Sequence, residues 1–193
     1  ISSSYRKAYK IEELPITDYD FVTEYLDEHD IQVADECIFN MYLPMEKEFE
    51  QRVKWEFPIL AISLSDYNHL LAMGGIAPIE LTDNQFALQW RSVASKDERN
   101  EVIKSHPVVE TDAGNLTIAS EQFYAAPLGE SIYNAYTDVI YVFPDIVCRQ
   151  LTAVNRIRFV NTAEPMPYDA AIGLQREFEQ QFPEQVDEGV SYS

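Results

Sequence analysis

The residues with chemical reach are two cysteines, three histidines and an excess of carboxylates, 33 Asp and Glu against 14 Lys and Arg. A Cys–His nucleophile could pair Cys37 with His29 or His106. Such a pair works through the thiolate, and Cys37 lies among apolar neighbours with no electropositive group to lower its pKa. Cys37 and Cys148 both sit in apolar contexts (DECIFNMY and DIVCRQL), of the kind where free cysteine is commonly buried. Outside the cell the two could form one disulfide, and the sequence leaves that pairing open. The spacing of His29, His69, His106 and the cysteines matches no zinc site, so neither a metal nor another cofactor is expected. Gly74-Gly75 and Gly114 belong to no phosphate-cradling pattern, and the GxSxG and HExxH signatures are absent. Carboxylate pairs are plentiful, yet glycoside chemistry needs one acid set apart in an apolar cleft, and nothing isolates one. The chain reads as a non-enzyme.

The carboxylates suit binding better than catalysis. A net charge of −19 disfavours nucleic acid and anionic bilayers as partners and draws cationic ones. Glu12, Glu13, Asp18, Asp20, Glu24, Asp27, Glu28 and Asp30 crowd the first thirty residues. A second group is Glu177, Glu179, Glu184, Asp187 and Glu188. If the two ends meet, Glu12, Glu13, Asp18, Asp20, Glu24, Glu177 and Glu184 form one acidic ligand-binding face. Each exposed ion pair is worth about 1 kcal/mol or less, so a cationic peptide would need many of them. A solvated face that only keeps the domain soluble is the plainer reading of the same residues.

The elements that must position these groups read as α+β, with mixed or antiparallel sheets and short helices packed on them. A chain of 193 residues can bury a core without staples, as one domain or as two lobes at about 1–91 and 92–193. Tyr (12) and Phe (10) outnumber Trp (2), which suits a β-rich fold. No apolar run approaches the roughly 20 residues of a membrane span. The opening at Ile1 is what a domain cut from a longer protein would show. After a lead-in with an extended stretch at 8–14, Thr17 caps a helix over Asp18–Glu28, whose apolar side is Phe21, Val22, Tyr25 and Leu26. Extended runs follow at Ile31–Leu43 and Phe49–Trp55. A helix over Asp97–Lys104 is entered from Ser95, and Val108–Thr111 with Asn115–Tyr124 forms a hairpin around Asp112-Ala113-Gly114. Pro127-Leu128-Gly129 is a loop. Asp138–Phe143 and Arg156–Asn161 are strands, separated by a helix opened by Pro144 and Asp145 and reaching Leu151. The clearest helix is Tyr168–Phe182, with Ala171, Leu174, Phe178 and Phe182 on one face. An extended tail closes the chain.

The stretch FPILAISLSDYNHLLAMGGIAPIELTDNQFAL, residues 57–88, carries more information than any other. It reads as a buried strand over 59–64, a helix capped by Ser65 with Asp66 in its first turn, a Gly74-Gly75 stop, a turn at Thr82-Asp83-Asn84 and a strand at Phe86–Trp90. The stretches ILAISLSDYNHLLAMGG and VIYVFPDIVCRQLTAV share a design of apolar strand, Asp-bearing cap and short helix. An internal duplication would leave that likeness, and strand-to-helix junctions share it in general. The SDYN element (Ser65–Asn68), the LTDNQFAL element (Leu81–Leu88) and the late strand–Pro–Asp–helix (Asp138–Leu151) resemble the extracellular domains of FtsX-like, MacB-superfamily ABC transporter permeases of Gram-positive bacteria. Those of Bce-type antimicrobial-peptide transporters are the most similar. With the lead-in and first helix, the resemblance covers about two-thirds of the chain.

It implies a non-catalytic domain on the outer face of the cell membrane that recognises a peptide or lipid-linked ligand, or transmits ATP-driven motion. The partners it implies are the membrane part of the same permease, an ATPase subunit, a cationic peptide or lipid-linked ligand, and a sensor kinase. The chain itself holds no ATPase motif, and the resemblance carries over no ligand-contacting residue. A structural protein of a virion or phage tail is the rival reading, since acidity, irregular β content and missing catalytic motifs fit it as well.

Overall fold

The computed structural model describes residues 2–6, 17–46, 59–90, 95–124, 139–181 and 190–191. The expected extended stretches at 8–14 and 49–55, the loop at 127–129 and residues 182–189 of the tail lie outside them. The described chain is α+β, with strands of mixed direction and several short helices, as its apolar patterning requires. It folds as two compact units: a terminal unit of Ile1–Phe39 with Val154–Ser193, and an inserted unit of Asn40–Ala153. This partition differs from the expected halves 1–91 and 92–193. The reason is β pairing across residue 91, described below, which ties Gln85–Trp90 to strands beyond 110.

The terminal unit begins with β1 (Ser2–Arg6), α1 (Thr17–Glu28) and the first part of β2 (Val33–Leu43). Inside the inserted unit lie β3 (Ala61–Ser63), α2 (Leu64–Met73), β4 (Gln85–Trp90), α3 (Lys96–Ser105), β5 (Val108–Thr111), β6 (Gly114–Tyr124), β7 (Val139–Phe143) and α4 (Asp145–Cys148). The chain returns through β8 (Thr152–Thr162) to α5 (Tyr168–Gln181) and β9 (Val190–Ser191). Both β2 and β8 therefore belong partly to each unit.

In the terminal unit β1 pairs antiparallel with both β8 and β9, Ser2 lying opposite Phe159 on one side and Ser191 on the other. The buried residues Val22, Tyr25 and Leu26 of α1 and Leu174 and Phe178 of α5 close over Val160 of β8. Phe21 meets Phe178 edge to face at 5.8 Å, a favoured aromatic geometry. Helix spacing accounts for this: residues three and four apart share a face, and only that face is apolar in either helix. Tyr25 Oη donates to the carbonyl of Ala170 at 2.7 Å, and Gly173 makes room for it, since a Cβ there would stand 2.6 Å from the hydroxyl. Arg158, 6 % exposed on β8, clamps the elements together: Nε and Nη2 reach Glu36 Oε2 of β2 at 2.9 and 2.7 Å, and Nη1 reaches Thr23 of α1 at 2.7 Å. Burial demands those partners, because an unpaired guanidinium would be costly there.

In the inserted unit β3 lies parallel to β7, with Ile62 opposite Val142, and antiparallel to β2. Strand β4 runs antiparallel to β7 and parallel to β6, with a bulge between Phe86 and Leu88, and β5–β6 is the expected hairpin. Ala61, Phe86, Leu88, Trp90, Leu116, Phe143, Val147 and Cys148 form its core. Phe86 stands edge-on to both Tyr141 and Phe143.

Three local expectations are corrected here. The strand expected at 59–64 is only Ala61–Ser63, and the N-cap of α2 is Ser63, not Ser65. Ser63 has extended backbone and its Oγ accepts from the Asp66 N–H at 3.3 Å while donating to Asp66 Oδ2 at 2.9 Å. The cap thus falls three residues before the carboxylate, and the two side chains share a hydrogen bond at the start of the helix. The helix expected from Pro144 to Leu151 is the four-residue α4, with Pro144 as its N-cap, because the chain turns into β8 at Thr152. Ser95, by contrast, caps α3 as expected, in a full capping box with Glu98.

Candidate functional site

Among the described residues, two places that gather ionisable groups bear on function. The first is the helical layer of the terminal unit. Asp20 and Glu24 are exposed on α1 and Glu177 is exposed on α5. Burial first, and then the charge of Glu177 on α5, raise the phenol of Tyr25 on α1 above its ordinary pKa. Asp18 belongs to α1, while Glu12, Glu13 and Glu184 lie outside the described residues. Asp20, Glu24 and Glu28 recur at four-residue spacing along α1, which contains no Lys or Arg. Like charges at that spacing cost a few tenths of a kcal/mol each.

The second place is the junction where the parallel strands β3 and β7 run into α2 and α4. Asp145, in the first turn of α4, accepts from the Ser65 backbone N–H at 2.9 Å and from the Ser65 hydroxyl. A carboxylate at the N-terminus of α2 is favoured by the helix dipole and satisfies an N–H with no intrahelical partner. Asp66 lies beside it. Burial above all, and then repulsion from Asp145, raise its carboxyl pKa, against the opposing hydrogen bond from Ser63 and the nearby His69. Tyr42 is raised mainly by burial, with Cys148, Asp66 and Asp145 adding to it. Burial, then Asp145 and Asp66, push the Cys148 thiol up to about 12. A thiol so placed is protonated at neutral pH and is no nucleophile.

The residues that carry the sequence resemblance have internal partners. Asn68 holds the backbone of Ile79 at both its N–H (2.9 Å) and its carbonyl (3.0 Å), fixing the return from α2 to β4. The buried Tyr67 hydroxyl donates to Oε1 of the buried Gln89. Thr82 Oγ1 donates to Asn84 Oδ1 at 2.7 Å, and the Thr117 N–H donates to the Asn84 carbonyl at 2.9 Å, binding the turn before β4 to β6. The SDYN and LTDN elements are structural clips.

Cys37 and Cys148 are both buried, and neither is joined in a disulfide here. His29 is engaged on α1: Nδ1 donates to the Tyr25 carbonyl at 2.9 Å, and the ring stacks on Tyr25 at 4.0 Å. Among the described residues no group of three His, Cys, Asp or Glu could hold a metal, and no helix is long and apolar enough to cross a membrane. Sequence reading missed the Asp145–Ser65 contact and the gathering of Tyr42 and Cys148 around it. The signal present was the likeness of the two strand–helix stretches, which become parallel neighbours here.

No protein-family model matches the chain, and neither does any curated protein. Among solved structures it is similar to that of a candidate lipoprotein from Bacillus anthracis, at 11 % identity and a TM-score of 0.49, over 91 % of this chain and 90 % of that one.

Proposed function

We propose that this chain is a non-catalytic extracellular domain of an FtsX-like ABC transporter permease, of the Bce type. It transmits ATP-driven motion or captures a cationic peptide or lipid-linked ligand. The observation that carries this reading is the pairing of β1 with β9, which sets Ser2 beside Ser191 and Ser3 beside Val190. Paired strands lie about 5 Å apart. A domain threaded between two membrane helices needs its ends side by side in this way, and motion of those helices would then pull on one sheet edge. Clips at Asn68 and Asn84 support the resemblance by giving its motif residues a physical reason to be there. Asp20, Glu24 and Glu177 supply the acidic face for a cationic ligand. The membrane part of the same protein, the ATPase and a sensor kinase are the further partners in this reading.

Two experiments test it. Reading the full-length gene should reveal apolar runs of about 20 residues on both sides of the domain; polar flanks on both sides would overturn the permease assignment. Calorimetric titration with cationic peptide antibiotics should give binding that weakens steeply with salt, as exposed charge pairs do. An absence of heat at low and high salt would leave motion transmission as the sole role.

A further inference from the structure

We draw no further inference here: the strongest candidate, the Asp66–Asp145 carboxylate pair where β3 and β7 run into their helices, is an acidic cluster at a helix N-terminus whose N–H groups the chain's own Ser63 and Asp145 already take up, and nothing in the structure points to a ligand there.

Discussion

Replacing Gly173 by alanine tests how tightly the two acidic helices are locked together. Glycine in a helix interior costs about 1 kcal/mol relative to alanine, so on propensity alone Gly173→Ala should stabilise α5. The structure reverses that sign. The new methyl would stand 2.6 Å from Tyr25 Oη, and Tyr25 is only 3 % exposed, hydrogen-bonded to Ala170 and stacked on His29. Overpacking of this kind costs about 1–3 kcal/mol. Pushing the ring aside also forfeits a hydrogen bond worth about 1 kcal/mol. Set against the propensity gain, the net is a loss of about 2 kcal/mol, or about 4–8 °C in Tm for a chain of this size. Tyr25→Phe alone should lose about 1 kcal/mol. In the double variant the ring carbon would be 3.7 Å from the methyl, an ordinary contact, and the propensity gain offsets the missing bond. Its stability should therefore return to near wild type, a coupling of about 3 kcal/mol. Urea denaturation followed by circular dichroism of all four proteins measures the cycle. A Gly173→Ala protein as stable as the parent, or one that Tyr25→Phe fails to rescue, would refute the close-approach argument.

Asp66 gives a pH signature of definite sign. Its folded pKa is raised, so over the window above the ordinary carboxylate value of about 4 the native state keeps a proton that the unfolded chain has released, and stability falls as pH rises. Asp66→Asn keeps an acceptor for Ser63 and removes the charge, so its Tm advantage over the parent should widen from about pH 4 to pH 7; an advantage that narrows would contradict the burial argument. Cys148, with its thiol pushed up to about 12, should resist a thiol reagent at neutral pH in the native protein and react promptly in denaturant. Fast native labelling of Cys148, located by peptide mapping, would show the thiol to be accessible. Asn68→Ala removes both hydrogen bonds to Ile79 and should cost about 1–3 kcal/mol by chemical denaturation. A change below about 0.5 kcal/mol would mean that the clip is dispensable.

Much of the local architecture was legible without coordinates. The apolar faces of α1 and α5, the Ser95 cap, the β5–β6 hairpin and the strong strand at Val139–Phe143 follow from periodicity and turn chemistry, which act over three or four residues. The net charge of −19 is likewise a property of composition. Where the reading failed, the deciding contact was distant. Ser65 looked like a cap because it precedes Asp66; its N–H belongs instead to Asp145, eighty residues on, and Ser63 takes the cap. Nor does a short window show that β4 pairs with β6 and β7, strands that lie beyond residue 110.

Tertiary structure alone decided three things. It set β3 parallel to β7, so that two look-alike strand–helix stretches became neighbours. It gathered Tyr42, Asp66, Asp145 and Cys148 at their ends. It also laid the first and last strands edge to edge. Strand partners are chosen by backbone hydrogen bonding and by the burial of whole faces; a window of a dozen residues shows which face is apolar but not which distant strand will lie beside it.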